Sequence, residues 1–275
     1  MHRQTDAQNM QKVILITGAS SGFGKATAEL LAQRGHIVYG TSRTTKEHPS
    51  VHFLNMDVRD RESIASGVRQ IIEKEGRIDV LVNNAGMGIG GSLELATPEE
   101  IDLQIGTNFM GCVNMCQAVL PHMRKQRQGR IINLSSIGGI MGLPYQGYYS
   151  ASKFAIEGFS EALSAEVKGF GITVSMVEPG DFATGFTASR KNSSLTLENE
   201  DYGDSFRRSL DLIEKEENGG LKPEVLARRI AKIVECRHPK LRYVVANLEQ
   251  WFSVVVKRIL PGNWFVGILR NYYKV

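Results

Sequence analysis

Only three cysteines occur in the 275 residues, Cys112, Cys116 and Cys236, too few for a disulfide framework in a chain of this length. Cys112 and Cys116 stand four apart among apolar neighbours, with no histidine or further cysteine at a zinc spacing. They read as buried thiols, and no metal site is expected. Charge of one sign is also scarce. The net charge is +4, too small and too dispersed to argue for nucleic acid, and neither an RNA-binding signature nor a zinc-finger spacing is present. The densest basic run, Arg124, Lys125, Arg127 and Arg130, reads as a solvated surface. No stretch reaches the roughly 18–20 apolar residues of a membrane span. The polar start MHRQTDAQNMQ lacks the apolar core of a signal peptide, so a reducing, cytoplasmic location is expected. With 42% hydrophobic and 23% charged residues, the chain has ordinary means to build a full core.

Short β-branched apolar runs recur along the chain, at residues 12–17, 37–42, 51–55, 78–84, 129–136, 171–179 and 241–246. Longer amphipathic stretches separate most of them, as at 24–34, 61–75, 106–125 and 149–170. Strands apolar on both faces and joined by helices predict an α/β fold, a doubly wound parallel sheet. No repeat and no linker rich in proline and serine divides it, so one domain over 1–275 is expected. The pattern breaks at residues 181–220, a polar segment through which no strand can be drawn. Leaving a strand's carboxyl end, it is expected to be a substrate lid. Residues 247–275 form an apolar, aromatic C-terminal extension with Lys257, Arg258, Arg270 and Lys274 interspersed. Packing over the core, covering a substrate mouth, joining two subunits and peripheral contact with a membrane all remain open for it.

The chemistry concentrates in three places. TGASSGFG, residues 17–24, ends a strand and opens a helix, so its glycines let the backbone approach a pyrophosphate at the helix N-terminus. At the end of the next strand, where a carboxylate would hold the ribose of NAD, stand Ser42 and Arg43. A guanidinium there can pair with a 2′-phosphate, which predicts NADP(H). Third, Tyr149 and Lys153 lie one helical turn apart, with Ser136 thirteen residues upstream. A phenol is a weak acid, with a reference pKa near ~10. A lysine on the same helix face is expected to draw it toward neutrality, where it can exchange a proton with an alcohol or carbonyl.

Taken as a set, TGASSGFG, NNAG at Asn83 to Gly86, Asn108, Ser136, YSASK at Tyr149 to Lys153, and Pro179, Gly180 and Thr184 closely resemble the short-chain dehydrogenase/reductase family over roughly residues 13–184. The resemblance implies a Rossmann-type fold and an oxidoreductase that interconverts a carbonyl and a secondary alcohol, with a hydride passing to or from the nicotinamide. It implies Tyr149 as general acid/base, Lys153 on the nicotinamide ribose, Ser136 on the reacting oxygen, and Asn108 ordering a relay water. Cofactor contacts would come from Gly18, Ser20, Ser21, Gly22, Phe23, Gly24, Ser42, Arg43, Asp57, Val58, Asn84, Ala85, Gly86, Tyr149, Lys153, Pro179, Gly180, Phe182 and Thr184. The family's spacing to the tyrosine selects Ser136 over Ser135, and only Tyr149 stands four before Lys153, unlike Tyr148. Phe23 and Phe182 depart from the aliphatic residues usual at their positions. Ser150 to Lys153 also spells SxxK, but the companion SDN and KTG motifs of acyl-enzymes are missing.

A non-catalytic NADP(H)-sensing protein is the alternative, against which the intact tyrosine and lysine argue. Met87, Met141, Leu143, Tyr145, Phe182, Phe186 and parts of the polar segment 181–220 are expected to line the substrate pocket, suggesting a hydrophobic steroid, retinoid or long-chain keto-lipid. Relatives are often dimers or tetramers, so a homo-oligomer through the helices at 106–125 and 149–170 is expected.

Overall fold

The computed structural model describes residues 11–275. Its centre is the apolar run β1 (Val13–Ile16), buried on both faces. Around it the chain builds α1 (Gly22–Gln33), β2 (Ile37–Ser42), β3 (His52–Asn55), α2 (Arg61–Glu75), β4 (Val80–Asn83) and the two-residue β5 (Ile89–Gly90). Then come α3 (Pro98–Ile105), α4 (Gly111–Gln126), β6 (Gly129–Leu134), α5 (Gly147–Val167) and β7 (Ile172–Pro179). Next are α6 (Phe186–Ser189), β8 (Lys191–Asn192), α7 (Ser194–Glu198), α8 (Gly203–Asn218), α9 (Pro223–Glu235) and β9 (Arg242–Val245). The chain closes with α10 (Leu248–Ile259) and α11 (Gly262–Tyr273).

The main sheet has seven parallel strands in the order β3-β2-β1-β4-β6-β7-β9. One face packs α2, α4 and α5 through a core that includes Leu15, Leu81, Met115, Val119 and Ile131. The other face packs α1 and α9 through Ile14, Ile16, Leu31, Leu226 and Ile230. This is the doubly wound Rossmann-type arrangement. The strand order reverses beside β1 and β4, which opens a crevice beyond their carboxyl ends.

Residues 181–220 differ from the strandless loop that their polarity predicts. They carry α6, α7, α8 and β8, and β8 pairs in parallel with β5. Helices of four and five residues are too short to show a period in sequence, and a two-residue strand shows none. Helix α8 did carry a signal, since Phe206, Ser209, Ile213 and Glu217 bury one stripe.

Candidate functional site

Helix α1 begins without a side-chain cap. Helix α2 is capped by Asp60, which accepts from the amides of Glu62 and Ser63. Helix α3 has a full capping box between Thr97 and Glu100. The Ser21 side chain makes no cap bond to α1, and no acid occupies its first turn. Its first amides are therefore free for an anion. The approach is narrow: a Cβ on Gly24 would stand 2.3 Å from the Gly18 carbonyl oxygen, and Gly18 has φ +64°. Only glycine fits both positions. The Asn84 side-chain amide donates to the carbonyls of Thr17 (2.8 Å) and Gly18 (3.0 Å), and the amides of Asn84 and Ala85 donate to Thr17 Oγ1. The loops after β1 and β4 thus form one cradle. A free helix terminus over a glycine floor fits the pyrophosphate of a dinucleotide. Thr184, after β7, closes against Gly22.

Along the crevice, Ser42 ends β2 and Arg43 stands exposed beyond it. The Arg59 guanidinium, 2.7 Å from Asp57, holds that carboxyl below the usual range, and Arg43 adds to the pull. Val58 packs against Gly111 at the start of α4.

At the other end of the crevice, Ser136 follows β6, and its hydroxyl accepts from the Gly138 amide at 3.0 Å. Tyr149 and Lys153 lie on α5. A Cβ on Gly138 would come within 3.3 Å of the Tyr149 ring and 3.4 Å of Ser136 Oγ, so glycine keeps this gap open. Lys153 Nζ is buried, donates to the Leu134 carbonyl at 2.8 Å, and lies 5.7 Å from the Tyr149 ring centre. Asn108 sits in a π-helical turn (Gly106–Met110), a rare geometry often found at functional sites. Its side chain is paired with both backbone groups of Met87 and with Ser152. Asn108 Oδ1 and Lys153 Nζ both fall within 4 Å of where a Gly86 Cβ would stand. The two neighbours of the chosen residues point elsewhere. The Ser135 hydroxyl is buried on the side of Glu157, and the Tyr148 hydroxyl reaches the Leu93 carbonyl.

One expectation fails here. Burial pushes the Tyr149 phenol up to about 12, against hydrogen bonding from Ser136, with Glu217 raising it, Arg190 lowering it and Asp181 raising it. Lys153, one turn away, does not offset that burial. Burial instead brings Lys153 itself down to about 8, against the charges of Cys112 and Glu157.

The model of the short chain dehydrogenase family matches residues 12–194, the stretch that holds the cradle, Ser136, Tyr149 and Lys153. This chain is a short-chain dehydrogenase. It is 57% identical to the 3-ketodihydrosphingosine reductase of Bacteroides thetaiotaomicron over 96% of this chain and 98% of that one. Among solved structures, a short-chain dehydrogenase from Streptomyces avermitilis superposes with a TM-score of 0.81, at 31% identity and 97% coverage of both chains. A 3-ketoacyl-(acyl-carrier-protein) reductase from Brucella melitensis, complexed with NADH, superposes at 0.71 with 25% identity, over 87% of this chain and 98% of that one.

The two departures from the usual short-chain dehydrogenase pattern explain each other. The rings of Phe23 and Phe182 meet edge to face with centroids 4.9 Å apart, so each aromatic fills the space the other leaves.

Beyond Tyr149 opens a cavity of about 410 Å³. Met87, Met141, Leu143, Phe182 and Phe186 line it as expected. Tyr145 does not. It packs on Phe206, and its hydroxyl bonds to Ser205, which ties α8 to the chain before α5. Two groups of lining residues were not named from the sequence, although the segments that supply them, 181–220 and 247–275, were expected to reach the substrate. The first is the roof, supplied by Phe252, Val256, Phe265, Leu269 and Tyr272 of α10 and α11. The second is a set of carboxylates, Asp181, Glu216, Glu217 and Glu249. Burial pushes Asp181 up to about 6, with Glu217 pushing the same way and Gln250 opposing. Gln250 grips Asp181 twice, accepting from its amide at 3.0 Å and donating to its carboxylate. Nothing local in the sequence joins positions so far apart.

Proposed function

We propose that this protein is an NADP(H)-dependent reductase that converts the ketone of a long-chain amino keto-lipid to a secondary alcohol. The observation that carries the reading is the cavity: Ser136 and Tyr149 stand in the wall of a deep, largely apolar chamber that also holds four carboxylates. A 3-ketodihydrosphingosine, the substrate in the relative's name, has a saturated chain for such walls and an ammonium beside its ketone for such carboxylates.

In the reductive direction the dinucleotide, when bound in the cradle, supplies a hydride to the carbonyl carbon. Ser136 donates a hydrogen bond to the carbonyl oxygen, and Tyr149 gives that oxygen its proton. A phenol held high by burial arrives protonated, which is the state an acid needs. Lys153 stabilises the phenolate left behind, and its own value near 8 keeps it largely cationic at neutral pH. Asn108 sits beside Lys153 and is the residue proposed to order a relay water there. The walls of Met141, Leu143 and Phe186 exclude bulk water from the exchange.

Exposed Arg43, beside a carboxylate already neutralised by Arg59, supports the 2′-phosphate of NADP(H) over NAD(H). Residues 181–220 act as the substrate lid. Exposed Phe154 on α5 and Met110 before α4 support contact with a second copy, in a homodimer or homotetramer. The test is stopped-flow oxidation of NADPH against a long-chain 2-amino-3-ketone, a ketosteroid and a small polar ketone. Preference for the amino ketone is expected, and preference for the small ketone would refute the reading. Arg43→Asp should lower the ratio of NADPH to NADH turnover by about tenfold or more, as loss of a charge-assisted contact implies. An unchanged ratio would overturn the cofactor assignment.

A further inference from the structure

Exposed apolar side chains concentrate at the C-terminal end of this protein. Of thirteen large hydrophobic side chains exposed among the described residues, nine lie between Leu248 and Val275. Helix α11 turns only Phe265, Leu269 and Tyr273 inward, and Trp264 (70% exposed) and Ile268 stand one turn apart on its outer side. Helix α10 adds Trp251, Phe252 (63%) and Ile259 (75%). Water-exposed indoles and aliphatics at this density need a partner.

The cavity names which one. Phe252, Ile268 and Tyr272 belong both to the exposed patch and to the wall of the substrate cavity. They form its rim, so the mouth opens through the patch. A second copy of the chain seated there would stop the mouth. A lipid surface would instead meet it with the substrate's own medium. Charge agrees with this choice. The helices carry Lys257, Arg258, Arg270 and Lys274 against one acid, Glu249, and that acid faces the cavity. Aromatic and aliphatic residues fringed by cations are the composition of a helix lying in the headgroup region of an anionic bilayer.

We propose that the α10–α11 hairpin docks on an anionic lipid bilayer and opens the substrate cavity to the membrane, so that the keto-lipid enters without crossing water. This rests on the keto-lipid reading above and supplies its route of delivery. No helix of the described residues is long and apolar enough to cross a membrane, so the contact is peripheral.

The chain provides its own probe, because its two tryptophans, Trp251 and Trp264, both lie on the hairpin. Full-length protein is mixed with vesicles of phosphatidylcholine alone, or of phosphatidylcholine with phosphatidylglycerol, without substrate or cofactor. Tryptophan emission should shift to the blue and the protein should float with the anionic vesicles, less with neutral ones and less at high salt. The double variant Ile259→Asp and Val266→Asp, at two exposed positions that do not line the cavity, should reduce vesicle partitioning by about tenfold or more. It should still reduce a short, water-soluble ketone at the wild-type rate. Absence of flotation and of a blue shift with both vesicle types would sink the proposal. So would a blue shift that appears without vesicles, grows with protein concentration and vanishes in the double variant, since that identifies a second copy as the occupant. Flotation is read without turnover, so failure of the reductase reading leaves this test intact.

Discussion

At Tyr149, burial and charge pull the proton in opposite directions, and burial prevails. The lysine one turn away is itself buried, spends a donor on the Leu134 carbonyl, and loses affinity for its own proton. Spacing alone predicted the reverse, because i,i+4 geometry says which residues are near and nothing of the medium between them. Tyr149→Phe removes the proposed acid while keeping the ring. It should lower kcat/KM by about 10²–10⁴-fold, the usual range for general acid catalysis. NADPH affinity, followed by fluorescence titration, should stay near wild type, and retained turnover would refute the role. Asp181 carries the second residue-scale prediction. Above pH 6 or so its carboxylate is charged and faces the cavity. Asp181→Asn should raise KM for a long-chain amino ketone by about 10–100-fold, as loss of a charged hydrogen bond implies. KM for the same chain without the amine should not move. An equal rise for both ketones would show that Asp181 only holds Gln250.

Among the elements, the lid is held by interior electrostatics more than by its own helices. Arg190 joins Glu217, and Thr187 donates to the other oxygen of that carboxylate at 2.6 Å, so α6 and the turn after it are tied to the end of α8. The Arg190 side chain is 2% exposed. Removing one partner of such a pair leaves a buried charge uncompensated and costs about 3–5 kcal/mol. Arg190→Leu should therefore lower the melting temperature and expose residues 185–200 to limited proteolysis. A variant as resistant as wild type would contradict this view of the lid. The central strands of the main sheet were legible because they are short, mainly apolar runs, the mark of a strand covered on both faces, whereas β3 and β9 at the edges are only half-buried. The lid was not, because its helices are short and its cohesion comes from Arg190 and Glu217, which are 27 residues apart and individually look like surface charges.

For the whole molecule, the buried acids make stability depend on pH in a stated direction. Asp181 has its pKa raised in the folded protein, from 3.8 to about 6. Its contribution is fully present below the unfolded value and is lost as pH rises through the folded one. Glu157 is raised in the same sense, chiefly by burial, with Ser135 and Arg242 pulling down and Glu178 pushing up. Urea denaturation of wild type and Asp181→Asn at about pH 5 and about pH 8 tests this. The variant should gain stability relative to wild type as pH rises, and a pH-independent difference would exclude the linkage.

The amino-acid sequence alone determined the parallel sheet and the glycine cradle, and through its resemblance to the short-chain dehydrogenases it nominated Ser136 and Tyr149 over their neighbours. These follow from local apolar runs, from backbone turns only glycine makes, and from the family's spacing of serine, tyrosine and lysine. Tertiary packing decided the rest. It set Phe23 against Phe182, turned Tyr145 from the cavity to Phe206, roofed the cavity with α10 and α11, and gathered four carboxylates from distant positions. It also chose the direction of the Tyr149 shift, because desolvation depends on what surrounds a group in space, and the order of residues along a chain does not specify that.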